Sequence, residues 1–178
     1  DIRCQGHTLG HYLSGVSLMY AATGDTALKA RADYIVAELA ECQKASGSGL
    51  LCAFPEGPKV VTDLIAGRRI TGVPWYAMHK LYQGLYDAHQ LTGGAPAREV
   101  LIRYADWAVE ATRGMSDQQF ETMLEIEHGG MNEVFADLFI LTGAPEYQRM
   151  AQRFSHKAVL TPLSRSQDHL DGLHANTQ

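Results

Sequence analysis

The stretch Ile140-Leu141-Thr142-Gly143 ends an apolar helical pattern, and the same Thr-Gly ending closes residues 20–24 (YAATG) and 89–93 (HQLTG). Glycine directly after the last helical residue is typical of a C-cap, because glycine adopts the left-handed conformation without strain. Each of these apolar helices is followed by a more charged helical segment. The sequence therefore predicts a repeated helical hairpin with a period of roughly fifty residues.

Helical periodicity extends along most of the chain, and no alternating strand pattern interrupts it. In the first helix, the three- and four-residue spacings predict one apolar stripe, formed by Leu9, Tyr12, Leu13, Val16, Met19 and Tyr20. Further helices are predicted at about 26–45, 75–91, 96–113, 117–125, 132–141 and 146–154. Residues 47–72 form a long, partly apolar connection, and connections of this length inside a compact domain are usually functional.

Repeated hairpins bury their apolar faces only against neighbouring repeats, in either an open solenoid or a closed α/α toroid. The regions that lead to each Thr-Gly pair carry the less usual polar residues, which are His7, His11, His79, His128 and Glu133. The helix after each pair carries ordinary charged residues. Because a toroid directs the polar residues of its inner helices toward a central cavity, this asymmetry favours an all-α toroid over a solenoid.

The 178 residues are enough for one domain with a substantial core. A net charge of −5 and the absence of a basic block disfavour nucleic acid as a partner, and no apolar run is long enough for a membrane span. The cysteines, Cys4, Cys42 and Cys52, lack C-x-x-C spacing, so no structural zinc site is predicted in this segment. We expect all of them to be small buried hydrophobic residues.

The densest group of polar residues is Glu127-His128-Gly129-Gly130-Met131-Asn132-Glu133, at the start of a predicted helix. The two glycines would let a ligand approach the backbone beside His128. A carboxylate in the first helical turn is favoured by the helix dipole, so Glu133 is either a capping residue or a site residue. Residues of these types suit sugar binding or acid–base chemistry.

Eight histidines are a high number for this chain length. His79 follows Trp75 and Tyr76 at helical spacing, which suits either a sugar pocket or a core histidine bonded to the backbone. His7 and His11 share a helix face, but a metal site is the weaker interpretation because the sequence places no third ligand nearby. The histidines predicted to lie on the surface, among polar residues, are His89, His156 and His169.

Five blocks of the sequence, in this order, resemble the signature blocks of the β-L-arabinofuranosidases of glycoside hydrolase family 127 and the related family 146. The blocks are GHTLGHYLS (residues 6–14), AFPE (53–56), VPWY with HK (73–76 and 79–80), EHGGMNE (127–133) and GLHANTQ (172–178). The resemblance spans essentially the whole chain.

The resemblance implies the catalytic α/α toroid of this family. Residues 1–178 would then form roughly half of an (α/α)6 toroid, with the rest of the toroid and the C-terminal β-sandwich domains outside the segment. The implied activity is a retaining glycoside hydrolase that releases β-L-arabinofuranose, or a similar sugar, from plant-type glycans. Family members use a cysteine nucleophile beside a zinc ion and a glutamate as acid/base, and these blocks would follow Gln178.

By the same resemblance, His79, His128 and His174 correspond to histidines that bind the hydroxyl groups of the arabinofuranose. Glu133 and Glu56 are neighbours of that pocket. Cys4, Cys42 and Cys52 match none of the family's catalytic or zinc-binding cysteines. The resemblance therefore implies substrate-binding residues in this segment, no catalytic residue and no bound metal, with zinc only in the full-length protein. The segment alone is expected to be inactive.

Two other interpretations remain open from the residues alone. A different toroid enzyme, such as a sugar epimerase or a polysaccharide lyase, would use the histidines as acid and base. A non-catalytic helical-repeat module would bind a protein partner and would have no sugar pocket.

Overall fold

The computed structural model describes residues 4–68, 70–169 and 171, and within these ranges the chain forms helices, turns and loops without a strand. The helices are α1 (His7–Thr23), α2 (Thr26–Ser46), α3 (Lys59–Ile65), α4 (Pro74–Thr92), α5 (Ala95–Thr112), α6 (Asp117–Leu124), α7 (Met131–Thr142), α8 (Pro145–Arg153) and α9 (Lys157–Ser164). The predicted all-α class is confirmed. No described helix is both long and apolar enough to cross a membrane.

Helices α1, α4 and α7 lie side by side and run in the same direction, and we call them the first layer. His7 contacts Tyr76 near the start of both α1 and α4, and Leu13 lies against Gly84 about two turns later. The corresponding contacts between α4 and α7 are His79 with Gly130 and Tyr82 with Phe135. The return helices α2, α5 and α8 form a second layer, in which α5 contacts both α2 and α8. The predicted hairpin repeat is present, and closure into a toroid stays a prediction.

The Thr-Gly pairs end α1, α4 and α7 in the same way. The hydroxyl groups of Thr23, Thr92 and Thr142 each donate to the carbonyl four residues earlier, at 2.7 Å in every case. The glycines that follow have φ angles of 70°, 73° and 73°, and each donates its N–H to the last turn of its helix. The positive φ explains the glycine, and the hydroxyl bond explains the threonine.

Two glycines inside helices allow α1 and α4 to reach backbone contact. A Cβ at Gly10 would lie 2.1 Å from the carbonyl oxygen of Lys80, and a Cβ at Gly84 would lie 2.7 Å from the carbonyl oxygen of Gly10. Neither position accepts a larger residue unless the helices separate, because both distances are well below van der Waals contact. This contact fixes the spacing between the first turn of α1 and the middle of α4.

Aromatic packing joins the two layers and the long connection. Tyr82 of α4 and Tyr104 of α5 stack with ring centroids 3.9 Å apart, and the Tyr82 hydroxyl donates to the Tyr104 carbonyl at 2.7 Å. The Tyr104 hydroxyl donates to the Leu51 carbonyl at 2.7 Å. The connection at residues 47–72 is therefore packed against the core. It contains α3, which the sequence analysis did not predict, because its 7 residues are too few for a clear periodic pattern.

The predicted apolar stripe of α1 is wrong at several positions. Leu13 and Val16 are buried, whereas Leu9, Tyr12 and Met19 are exposed by 39%, 50% and 53%. In the described part of the chain, α1 packs chiefly against α4 and α2. The remaining face of the helix is open, although its residues follow the same spacing as the buried ones.

The prediction that all the cysteines are buried is also wrong. Cys42 is exposed on α2, and Cys4 and Cys52 are half-buried. The buried position beside Cys42 belongs to Gln43, whose side-chain amide donates to the carbonyls of Gly49 and Val100 at 2.8 and 3.0 Å. A polar side chain is stable there because these bonds replace its contacts with water.

Helix α6 begins with a capping box at Ser116. The Ser116 hydroxyl accepts from the Gln119 N–H at 3.2 Å, and the Gln119 side chain accepts from the Ser116 N–H at 2.8 Å. We expect Ser116→Ala to lower the free energy of unfolding by about 1 kcal/mol, because a helix-start donor loses its acceptor. Urea denaturation followed by circular dichroism measures this change. The control is Ser164→Ala, at an exposed position near the end of α9, with an expected effect below about 0.5 kcal/mol.

Candidate functional site

The starts of α1, α4 and α7 lie at one end of the first layer and bring together polar residues that are distant in the sequence. These residues are His7, His11, Tyr76, His79, Lys80 and the segment 127–130. The first N–H groups of a helix have no partner within the helix, so this end combines backbone donors with partial positive charge. It contains His79 and His128, two of the five candidate site residues.

Glu127 links the segment before α7 to the start of α4. Its side chain has no exposed surface, and its two carboxyl oxygens accept from the N–H groups of Trp75 and Tyr76, both at 2.7 Å. Pro74, at the first position of α4, has no N–H, so Glu127 satisfies the next two donors. Burial raises the pKa of Glu127 to about 8, against the opposing effect of the two N–H donors. Glu127 therefore holds the site together and does not face a ligand.

His79 is a buried histidine of α4 that is bonded to the same segment. Its Nδ1 accepts from the N–H of Gly130 at 3.1 Å, so the neutral ring carries its proton on Nε2. Burial, and then the charges of Lys80 and His11, lower the pKa of His79 to about 4. At neutral pH the side chain is therefore an uncharged imidazole with an N–H donor on Nε2.

The Gly129-Gly130 pair is required by the packing of α4. A Cβ at Gly129 would lie 3.0 Å from the Tyr76 Cα, and a Cβ at Gly130 would lie 2.7 Å from Cε1 and Nε2 of His79. Gly129 also has a φ angle of 55°, which favours glycine. The sequence analysis assigned these glycines to ligand approach, but the space beside them is occupied by Tyr76 and His79.

His128 lies next to these glycines and is 5% exposed. Its Nδ1 bonds to the carbonyl of Gly129 at 2.9 Å. Its ring packs edge-to-face on His156, with centroids 5.5 Å apart and an interplanar angle of 81°. His156 is 3% exposed, so its predicted surface position was wrong. No sequence pattern indicated this burial, because His156 precedes α9, a helix that was not predicted.

The other candidate residues differ in their surroundings. Glu133 is exposed in the first turn of α7, where a carboxylate also complements the helix dipole. Glu56 is exposed in the connection before α3. The Ala53 side chain of that connection packs close to Gly6, directly before α1. His174 lies outside the described residues. Of the five candidates, the structure brings His79 and His128 to the same glycine pair: His79 bonds to Gly130 and His128 bonds to Gly129.

His7, Tyr76 and Lys80 also lie at this end, outside the five site residues predicted from the sequence. The rings of His7 and Tyr76 lie 6.0 Å apart, and the Lys80 Nζ lies 5.0 Å from the centre of the Tyr76 ring. Tyr76 and Lys80 are four residues apart on α4, and that spacing is the signal that would have identified the pair. An aromatic ring and a cation next to His79 are groups that suit contact with a sugar.

The described residues do not fit a zinc ion. Within residues 4–68, 70–169 and 171, no group of three or more His, Cys, Asp or Glu side chains lies close enough to hold a metal. The Cys52 thiol donates to the Gly57 carbonyl at 3.5 Å, and burial raises its pKa.

Comparison with known families gives a match along the entire sequence. The family model described as "Beta-L-arabinofuranosidase, GH127 catalytic domain" matches residues 1–178. A comparison with curated proteins gives no match. The family match therefore includes the starts of α1, α4 and α7 and the segment 127–130.

Proposed function

Because the chain belongs to the GH127 β-L-arabinofuranosidase catalytic-domain family of glycoside hydrolases, we propose that it binds a terminal β-L-arabinofuranosyl group of a plant-type glycan, which the enzyme releases with retention. His79, His128 and His174 bind hydroxyl groups of the sugar in this proposal, with Glu133 and Glu56 as neighbours of the pocket. The observation that carries the proposal is the state of His79, a buried neutral imidazole at the shared start of the first-layer helices.

A neutral imidazole suits a sugar hydroxyl. Nδ1 of His79 is engaged by the Gly130 N–H, so Nε2–H is the group left to donate to a hydroxyl oxygen. A pKa of about 4 keeps the ring uncharged at neutral pH. Hydroxyl recognition by fixed polar groups is highly selective, because an analogue that lacks the hydroxyl leaves those groups unpaired.

We assign bond cleavage to groups outside residues 1–178. A retaining glycosidase needs a nucleophile and an acid/base on the two sides of the anomeric carbon. Cys4, Cys42 and Cys52 match none of the family's catalytic cysteines, and the described residues do not fit zinc. The contribution proposed for this chain is to bind the sugar and to orient its ring.

The proposal is tested by titration of the 178-residue chain with L-arabinose in ligand-observed NMR. We expect saturable binding, and we expect His79→Ala to weaken it about tenfold, which corresponds to one lost hydrogen bond of about 1.4 kcal/mol. Gly130→Ala is expected to weaken binding similarly, because the new Cβ would meet the His79 ring at 2.7 Å. The control is His89→Ala: His89 bonds to the Gly94 carbonyl at the far end of α4, so binding should not change.

Two results would contradict the proposal. Equal affinity of wild type and His79→Ala, with both proteins folded by circular dichroism, would exclude His79 as a sugar contact. Absence of L-arabinose binding together with tight binding of a protein partner would favour a helical-repeat interaction module. Sequencing of the coding region beyond Gln178 separates the remaining alternatives, since a cysteine-rich zinc block fits the hydrolase and neither an epimerase nor a lyase.

A further inference from the structure

His156 contacts the ring of His128, and Glu121 lies beside His156. His156 packs edge-to-face on the His128 ring at 5.5 Å, and it is 3% exposed. His156 is the last residue before α9, whereas His128 lies in the segment before α7. The contact therefore joins two parts of the chain that are 28 positions apart, counted as 156 − 128.

Glu121 of α6 holds His156 in place. Its carboxylate accepts from the Lys157 N–H at 3.1 Å, which fixes the start of α9. The same oxygen lies 3.9 Å from Nε2 of His156, within the range of an ion pair if the imidazole is protonated. The Glu121 side chain is 25% exposed, so its field on His156 is only partly screened by water. Three elements, α6, the start of α9 and the segment before α7, thus meet at these residues.

We propose that His156 and Glu121 are positioning residues that hold the His128 imidazole in the orientation used for sugar binding. The inference rests on the proposed function. His128 is constrained at one edge by the bond from Nδ1 to the Gly129 carbonyl, at 2.9 Å. His156 constrains its rotation at a second place, and Glu121 keeps His156 in position.

Fixing the His128 ring before a ligand binds strengthens binding. An imidazole in a glycine-containing loop has freedom that it must lose when a ligand binds, and this loss weakens affinity. Packing and polar contacts behind a ligand-binding side chain remove that freedom in advance. The orientation of His128 also bears on His79, because Gly130, two residues after His128, donates its N–H to Nδ1 of His79.

The test uses the 178-residue chain and two independent readouts. Long-range ¹H–¹⁵N NMR of the histidine rings reports the tautomer and surroundings of His128 without any sugar. Titration with L-arabinose reports affinity. We expect His156→Ala to shift or broaden the His128 ring signals and to weaken L-arabinose binding about fivefold, whereas His156→Phe, which keeps a ring against His128, is expected to stay within about twofold of wild type.

Glu121→Gln keeps an oxygen acceptor for the Lys157 N–H and removes the charge near His156, and we expect it to shift the His128 signals. If His156→Ala does not fold, the His128 signals of Glu121→Gln test the positioning role instead. The control is His89→Ala, which should leave the His128 signals unchanged. Unchanged His128 signals in folded His156→Ala, or in Glu121→Gln if the alanine variant does not fold, would overturn the inference. If the wild type does not bind L-arabinose, the proposed function fails, but the NMR signals still decide the positioning role.

Discussion

Gly10→Ala is expected to lower the free energy of unfolding by about 3 kcal/mol or more, the upper part of the range for overpacked cores. The added methyl group would lie 2.1 Å from the Lys80 carbonyl oxygen and 2.6 Å from the Leu81 nitrogen. Both partners are backbone atoms inside α4, so no side-chain rotation relieves the contact. The helices must separate instead, which also opens the packing of Leu13 and of the candidate-site end of the first layer.

The same helix supplies a matched control. Gly15 is exposed, and a Cβ there would meet nothing within 4 Å. Gly15→Ala is therefore expected to raise the free energy of unfolding by about 0.5–1 kcal/mol through helix propensity alone. Urea denaturation of both variants gives the comparison. A Gly10→Ala variant as stable as Gly15→Ala would show that α1 and α4 are not in backbone contact.

The sequence predicted the hairpins well because their ends are locally encoded. Thr-Gly endings and the helix-start residues Asp25 and Ser116 act within one turn, so their effect does not depend on the rest of the fold. Each predicted boundary of α2 and α4–α8 lies within one residue of the observed one. The helices that were missed, α3 and α9, have 7 and 8 residues and lack such a pattern.

The close approach of α1 and α4 was not predictable in the same way. Gly10 and Gly84 are 74 positions apart (84 − 10), and each, taken alone, is an ordinary helix-weakening residue. Only the backbone contact between α1 and α4 explains both. The predicted burial of Leu9 and Met19 failed for a related reason. Apolar spacing indicates a helix face that can be buried, but it does not indicate whether another helix covers that face.

The sequence predicted which residues form the candidate site, but it predicted only part of what each residue does there. The sequence placed Glu127, His128 and the glycines in one cluster, and the structure keeps them together. It could not reveal that Glu127 bonds to Trp75, 52 residues earlier, or that Gly130 makes room for His79. Roles of this kind depend on the register of α4 against the segment before α7, which no local pattern determines.

Glu127→Gln is expected to destabilise the fold by about 2 kcal/mol at mildly acidic pH. The glutamine side chain has one oxygen, so it can accept from only one of the Trp75 and Tyr76 N–H groups. The other N–H then faces an amide N–H₂ in a site without exposed surface. Urea denaturation measures the loss. The control is Glu125→Gln, at an exposed position at the end of α6, with an expected change below about 0.5 kcal/mol.

The stability difference between wild type and Glu127→Gln depends on pH. Its pH dependence tests whether the Glu127 carboxyl group is protonated in the folded protein. Burial raises the pKa of Glu127 from 4.5 to about 8, so its protonated form is the one favoured in the folded state. The resulting stability is fully present below pH 4.5 and is lost as the pH rises through about 8, at up to about 1.4 kcal/mol per pH unit. Glutamine does not titrate, so the advantage of the wild type over Glu127→Gln should shrink as the pH rises from 4.5 to about 8. An advantage that grows with pH would show the opposite, that the two N–H donors outweigh burial and hold an ionised carboxylate at the start of α4.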